Sequence, residues 1–444
     1  MRLLLSGIAL IATPALAQEH DHSDMDHTQM DHAQMEALQL PPTSAPAPAR
    51  TPQADHQHMA HMQATPAGPA PAADGSGTSR LPGADGPMRG LHVMTGDWML
   101  MAHATTSLQY TNVSGPRGDD KFYATSMAML MAQRDTAWGR IQFKSMLSLE
   151  PAMSARGYPN LFATGETAGG QPLVDRQHPH DLFMELAARV DFTTSFGTAF
   201  LYGGPVGEPA LGPSAFMMRQ SSRYNPEAPI THHWFDSTHI TYGVVTAGIA
   251  SPRFQLEASA FRGAEPDEDR WDIETPKLDS WSVRGTFTPS PRWAMQLSYA
   301  QIKQPEALHP GEDEHRTTAS LHYANGRGLS AMAAFSAKDR VPGGTLTAWL
   351  AEANWDLDAR NTIFGRAENV ANDELFPDHA HPLHDQTFRV SKFQLGYARR
   401  IPIGPVELAL GGSIAAYAKP AALTPYYGER PIGYTLFARL SLGN

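Results

Sequence analysis

The chain has 444 residues, with 34 Lys and Arg against 45 Asp and Glu, so its formal net charge is −11. This acidic balance argues against a nucleic-acid partner, which requires a basic face. The chain contains no cysteine, which excludes disulfides and thiolate metal sites. No stretch after the first twenty residues or so is apolar for the roughly 18 residues that a membrane-spanning helix needs, so a helical membrane protein is also excluded.

The first 17 residues have the pattern of a secretory signal peptide. Arg2 precedes a short apolar run that extends to Ala12, and Ala15-Leu16-Ala17 provides a small-x-small cleavage site. These features predict export, with cleavage after Ala17. The alternative is a buried N-terminal helix.

Residues 18–90 form a low-complexity zone that opens with three pentapeptide repeats, Asp21–Met25, Asp26–Met30 and Asp31–Met35. A second His/Met cluster lies at Asp55–Met62, and Pro, Ala and Gly dominate the rest. Because the zone has almost no bulky apolar residues, burial cannot offset the entropy of ordering it. We therefore predict a disordered, partly extended periplasmic tail.

The tail carries a regular set of metal-binding side chains. Thioether sulfur is a soft ligand and imidazole a borderline one, and together they favour copper over hard cations. The spacing of three between His22 and Met25 lets a flexible chain wrap around a small ion. We expect low to moderate affinity for Cu(I) or Cu(II) and no organic cofactor; the alternative is a solvated linker that binds metals incidentally. The predicted ligands are His20, His22, Met25, His27, Met30, His32, Met35, His56, His58, Met59, His61 and Met62.

The motifs Met25-Asp26-His27 and Met30-Asp31-His32 resemble the Met/His-rich N-terminus of the bacterial copper-resistance protein B (CopB-like) family. The resemblance covers residues 18–62. It implies a tail that precedes an outer-membrane barrel and supports copper tolerance, with periplasmic copper carriers or oxidases as candidate partners. The rest of the chain is similar to proteobacterial outer-membrane barrels that have no assigned role.

From about residue 91 to residue 444 the sequence alternates between apolar and polar residues. In the last segment Tyr434, Leu436 and Leu440 share one face, whereas Thr435 and Arg439 lie on the other. Segments of about ten residues with one apolar face are typical of a barrel with lipid outside and water inside. We predict an all-β, transmembrane antiparallel β-barrel in contact with outer-membrane lipid and lipopolysaccharide. A soluble sandwich or propeller is the alternative.

The connections between these segments alternate in length. Seven tight turns and eight longer loops predict about 16 strands. The alternative is 14 strands, because the strand at 196–203 is short and the apolar/polar alternation from 388 to 400 changes phase near Lys392. Both ends of the barrel then lie on the short-turn side, which is periplasmic in such barrels. The tail is therefore expected in the periplasm, and the sequence leaves open whether the barrel oligomerises.

Three long loops are rich in histidine. They contain Asp175–Asp181, His232–Asp236 with His239 close behind, and Asp378–Asp385. Divalent ions such as Zn²⁺ and Cu²⁺ accept these ligands, but side chains that cap turns and tie the loops together are the favoured interpretation. The Gly/Pro-rich segment Gly203–Pro209 also predicts a loop that folds inward and narrows the pore. The tentative ligands are His178, His180, His232, His233, His239, His379, His381 and His384.

The preferred functional hypothesis is a non-enzymatic outer-membrane barrel that binds copper through its tail and supports copper tolerance. The first alternative is a general or substrate-specific porin with an incidental His-rich tail. A lipid- or glycan-modifying enzyme that uses His178, His180 or His239 with Asp181 or Asp236 is less favoured, because the chain has no Gly-x-Ser-x-Gly motif.

Overall fold

A computed structural model describes residues 72–443, so the expected signal peptide and the predicted copper ligands of the tail lie outside the described residues. The described chain forms one closed antiparallel barrel of 16 long strands. The strands are β1 Trp98–Val113, β2 Asp120–Thr136, β3 Gly139–Leu147, β4 Phe183–Thr194, β5 Gly197–Gly207, β6 Thr241–Ala250, β7 Phe254–Phe261, β8 Ser280–Ser290, β9 Trp293–Ile302, β10 Asp313–Ala324, β11 Leu329–Val341, β12 Thr345–Asp356, β13 Asn361–Asn372, β14 Phe388–Ile403, β15 Val406–Ala418 and β16 Ile432–Leu442.

The barrel closes where the last strand meets the first. β16 pairs with β1 from Gly433 opposite Val113 to Leu442 opposite Ala104. The first five residues of β1, Trp98–Ala102, pair instead with a short strand, Leu91–Thr95. The predicted 16-strand barrel is thereby confirmed.

The alternative count of 14 strands is wrong for two local reasons. β5 continues to Gly207 in the ladder with β6, although its glycines read as the start of a loop. β14 keeps one alternation throughout, with Lys392, Gln394 and Ala398 all buried on the lumen side. Lys392 disturbs the sequence pattern only because a lysine fills a lumen position.

Short turns and longer loops lie at opposite ends of the barrel, as predicted. The two longest loops cover residues 148–182 and 208–240. One predicted loop is much shorter than expected: residues 342–344 alone connect β11 and β12, because both strands extend through the polar residues that suggested a loop at 337–345.

The two faces of the wall differ in chemistry. Outward side chains are apolar, and Leu130 (62% exposed), Phe122 (68%) and Leu297 (63%) are examples. Many inward side chains are polar or charged but buried; Arg284 and Arg316 are 0% exposed. This is the alternation expected when hydrocarbon covers the outside of the barrel.

Smaller elements lie outside the wall. Two four-residue helices, α1 His232–Phe235 and α2 Thr424–Tyr427, lie in the loops. Three two-stranded ladders pair Ala72–Asp74 with Arg80–Pro82, Tyr158–Pro159 with Arg176–Gln177, and Glu166–Ala168 with Gln171–Leu173. Within residues 72–443, no helix has both the length and the apolar character needed to cross a membrane.

Residues 72–90 are part of the barrel interior, so the predicted tail boundary at residue 90 is wrong. The Thr78 hydroxyl donates to Glu257 of β7, Arg80 Nη1 donates to the Ser251 carbonyl at 2.8 Å, and the Ala84 amide donates to the Pro291 carbonyl at 2.7 Å. Small polar residues are buried here through hydrogen bonds rather than apolar area, which is why composition alone indicated disorder.

The loop at 208–240 folds into the lumen, as predicted, but Gly203–Gly207 of the Gly/Pro-rich segment on which that prediction rested belong to β5. The Arg219 side chain is fully buried, and its Nε lies 2.7 Å from Glu352 Oε1 on β12. The Thr231 amide donates to Glu368 on β13 at 3.1 Å. The loop also meets the N-terminal segment, because the Ala215 amide donates to Ser76 Oγ at 2.7 Å. Two insertions therefore meet inside the barrel.

The loop at 148–182 contains a buried carboxyl group whose titration is measurable. Burial raises the pKa of Asp175 to about 6, although the Phe162 amide and Arg117 act in the opposite direction. Because this pKa is raised on folding, the folded state holds the proton more tightly than the unfolded chain. The free energy of unfolding should therefore fall by about 3 kcal/mol as pH rises from about 4 to about 6.

Asp175→Asn tests this expectation, because the amide oxygen can still accept from Phe162 and Asn tolerates the positive φ of 59° at this position. Urea unfolding of both proteins between pH 4 and pH 7 should show a smaller decrease for the variant. Equal slopes would show that Asp175 does not titrate in this range.

Candidate metal centre at the loop end of the barrel

Five histidines from two loops form one buried cluster, which we call the histidine centre: His178, His180, His232, His233 and His239. Ring centroids are 5.9 Å apart for His178 and His232, 5.3 Å for His180 and His239, and 5.1 Å for His232 and His239. All five were tentative ligands from the sequence, and the structure places them together.

Local backbone structure sets the positions of these rings. His178 and His180 lie two apart in the segment that follows Arg176–Gln177, whereas His232 and His233 open α1. Asp236, at the end of α1, holds two of the rings: its Oδ1 is 2.9 Å from His232 Nδ1, and its carbonyl oxygen is 2.6 Å from His239 Nδ1.

Oxygen acceptors fix the Nδ1 atoms of the other loop as well. His180 Nδ1 is 2.8 Å from Glu150 Oε2, and His178 Nδ1 is 3.1 Å from the Pro179 carbonyl. Within residues 72–443, the buried Nε2 atoms of His178, His180 and His239 have no hydrogen-bond partner. An imidazole that donates from one nitrogen and leaves the other nitrogen free has the arrangement of a metal ligand.

The tightest ligand set joins both loops. The ligand atoms of Glu166, His178 and His233 lie within 4.8 Å of one another, and His178 Nε2 is 3.3 Å from Glu166 Oε1. Two imidazoles and one carboxylate suit Zn²⁺ or Cu²⁺. Arg270 also contacts this carboxylate, with Nη2 at 2.9 Å from Glu166 Oε2, so a bound metal would share Glu166 with a guanidinium.

Burial and neighbouring charges separate the protonation states of these rings. Burial lowers the pKa of His178 and His239 well below the ordinary value, which keeps both rings neutral. Burial would also lower the pKa of His233, but Glu265 and Glu166 outweigh it and raise the pKa to about 9. Burial raises the pKa of Glu166 to about 7. Neutral imidazoles are ready ligands, whereas His233 must first lose a proton.

The three tentative ligands of the loop at 373–387 lie apart from the histidine centre and make local contacts. His381 stacks on Phe376 with centroids 4.5 Å apart, and its Nε2 is 3.0 Å from the Tyr426 hydroxyl. His384 Nδ1 is 2.8 Å from the Phe376 carbonyl, and the His379 ring lies 4.4 Å from the His384 ring. These contacts fit the structural role that the sequence favoured.

Several partners of the site were not found in the sequence. Glu150 and Glu166 lie in the loop at 148–182 and Glu265 lies in the loop at 262–279, and no local motif marks any of them as a metal ligand. A second compact set, Glu306, His309 and Glu374, brings ligand atoms within 4.8 Å of one another. No sequence motif joins these residues, because Glu374 lies in a different loop from Glu306 and His309.

No protein-family model and no curated protein matches this sequence. Among solved structures, the chain is similar to an anion-selective porin from Comamonas acidovorans, with a TM-score of 0.51, 13% identity and coverage of 78% of this chain and 100% of the porin. The outer-membrane channel DcaP of Acinetobacter baumannii matches with a TM-score of 0.48 and 12% identity, over 80% of this chain and 100% of that one. The likeness to the first of these shows a porin-type barrel fold.

Proposed function

We propose that this protein is a substrate-specific outer-membrane channel of the porin type whose cargo is a transition-metal cation held at the histidine centre. The observation that carries the proposal is the set of buried imidazoles with Nδ1 bonded to oxygen and Nε2 free, next to Glu166. Structural histidines usually satisfy both nitrogens when they are buried. Buried Nε2 atoms without a hydrogen-bond partner therefore favour ligand binding over packing.

The filled lumen favours a specific channel over a general one. Two interior spaces are small: one of about 90 Å³ is lined in part by His180 and Phe216, and one of about 60 Å³ is lined in part by His103 and Arg89. Spaces of this size admit an ion with a few waters. Larger solutes would require the loop at 208–240 to move.

The tail extends the proposal toward copper. Its twelve predicted ligands, between His20 and Met62, would raise the local metal concentration at the end of the barrel to which the tail is tethered. In a porin-type barrel the chain ends lie on the periplasmic side. The tail would then exchange copper with soluble carriers there and support copper tolerance.

A titration of the full-length chain tests the histidine centre. In a tail-silenced protein, every tail histidine and methionine between residues 20 and 62 is replaced by serine or leucine. We expect this protein to bind one Zn²⁺ or Cu²⁺ ion at the centre. The double variant His178→Ala/His233→Ala should lose at least roughly tenfold in affinity, since loss of even an outer-shell partner of a metal ligand typically costs about 10- to 100-fold.

His379→Ala/His384→Ala is the matched control, because it removes two imidazoles that lie outside the centre. Its affinity for Zn²⁺ should equal that of the tail-silenced parent. The proposal fails if the parent binds no divalent ion, or if the two double variants lose affinity equally.

A further inference from the structure

Part of the lumen wall is made of methionine. Of the 14 methionines among residues 72–443, ten belong to one cluster. Seven lie on β1–β4, one lies in the N-terminal segment and two lie in the loop at 208–240. We call this cluster the methionine wall: Met88, Met99, Met101, Met127, Met129, Met131, Met146, Met184, Met217 and Met218.

Strand alternation directs these side chains into the barrel. On β2, Met127 and Met129 are buried, whereas Leu130 between the methionine positions is 62% exposed on the outer face. Strand register then sets the methionines side by side. Met129 is opposite His103 on one side and Met146 on the other. Directly opposite residues have Cβ atoms about 4.5–5.5 Å apart, so two thioethers and an imidazole form one row.

Ordinary core packing does not account for this composition. The buried part of the methionine wall has five methionines among eight residues. The largest buried cluster elsewhere in the barrel has one methionine, Met332, among 22 residues and is built from Leu, Val, Phe and Ala. The same chain therefore uses aliphatic and aromatic side chains where it only needs to fill space.

His103 is oriented as a ligand within this row. Its Nδ1 lies 3.1 Å from the carbonyl oxygen of Leu442 on β16. A carbonyl only accepts hydrogen bonds, so Nδ1 carries the proton and Nε2 keeps its lone pair. The last strand of the barrel thereby fixes the tautomer of a histidine on the first strand.

Two interior spaces border the methionine wall, and the larger of them also borders the histidine centre. The space of about 90 Å³ is lined by His180, Met127, Met184 and Met217. The space of about 60 Å³ is lined by His103, Met88, Met217 and Met218. Met217 lines both spaces, so it links imidazole ligands at the loop end to thioether ligands deeper in the lumen.

We infer that the methionine wall binds Cu(I), with His103, Met129 and Met146 as one three-ligand site. Thioethers are soft and select Cu(I), whereas the imidazole and carboxylate ligands of the histidine centre suit divalent ions. The lumen then offers two successive sites with different metal preferences. A role for these sites in transport rests on the proposed function, but the binding itself does not.

The probe is Ag(I), which shares the ligand preference of Cu(I) and does not change oxidation state under the conditions of the titration. We expect the full-length, tail-silenced protein to bind Ag(I), with sulfur neighbours in its X-ray absorption spectrum. The triple variant Met101→Leu/Met129→Leu/Met146→Leu should lose at least tenfold in Ag(I) affinity and most of the sulfur signal. Its affinity for Zn²⁺ should stay the same.

Met332→Leu is the matched control, because it replaces a buried lumen-side methionine outside the wall. Leu and Met have similar volumes, so the barrel should tolerate these changes; if the triple variant does not fold, Met129→Leu alone should weaken Ag(I) binding at least threefold. The inference is overturned if the parent binds no Ag(I), if the wall variants bind it within twofold of the parent, or if Met332→Leu loses as much. Zn²⁺ binding by His178→Ala/His233→Ala tests the proposed function. Ag(I) binding by the methionine variants tests this inference, so one can fail while the other holds.

Discussion

A variant in which a short Gly/Ser linker replaces residues 209–238 should conduct ions roughly tenfold better than the parent, because an unobstructed 16-strand barrel encloses an aqueous channel. β5 and β6 are adjacent in the wall, so a linker of about five residues can join them. The charged partners left behind, such as Glu352 and Arg366, would face water. Single-channel recording in planar bilayers measures the effect.

A second deletion serves as a control, because it shows whether any loop deletion changes the conductance or only removal of the loop inside the lumen. Removal of Asp378–Asp385, most of which is exposed at the tip of the loop at 373–387, should leave conductance close to that of the parent. If the first deletion leaves conductance unchanged, the loop at 208–240 is not the barrier. Residues 72–90 would then be the next element to remove.

Replacement of Arg219 by methionine should strongly lower the free energy of unfolding. Its guanidinium lies 2.7 Å from Glu352 and 3.0 Å from Asp236, and the side chains of all three are at most 3% exposed. Arg366 still pairs with Glu352 at 3.0 Å, so the larger change is at Asp236, which loses its guanidinium partner and keeps only the hydrogen bonds from the His232 ring and the Phe216 amide. Removal of one partner from a buried ion pair costs about 3–5 kcal/mol, which urea unfolding in lipid vesicles would detect.

Arg134→Met provides the control for this experiment. Arg134 pairs with Asp97 at 2.9 Å, but the two side chains are 44% and 74% exposed. Exposed pairs contribute up to about 1 kcal/mol, so this variant should unfold almost as the parent does. Similar losses in both variants would argue against a buried ionic anchor for the loop.

The fold was predictable because its rules are local. The alternation of Tyr434, Leu436 and Leu440 with their polar neighbours defines a strand, and turn residues mark where strands end. Prediction failed where polar residues are buried. Lys392 looked like a break in β14, and Asp74–Ser79 looked like linker, because pairing with distant partners compensates their burial only in the folded barrel.

The sequence showed the residues of the candidate site only as separate motifs. Two His-rich motifs indicated ligands, but their approach depends on the loop at 208–240 entering the lumen, which brings His232 and His239 beside His178 and His180. The spacing of Met127, Met129 and Met131 was also available, since alternate methionines on a strand share a face. That these methionines could bind a metal became clear only from the strand register, which places His103 and Met146 of the neighbouring strands beside Met129.

The junction of β16 with β1 has a consequence for how the molecule assembles. Until Ile432–Leu442 takes its place, β1 and β15 are free edges of an open sheet, and such edges attract other strands. Residues 72–90 lie inside the ring. The eleven residues of β16 close the ring around them, so a chain truncated before β16 would leave the sheet open and the interior segment unenclosed.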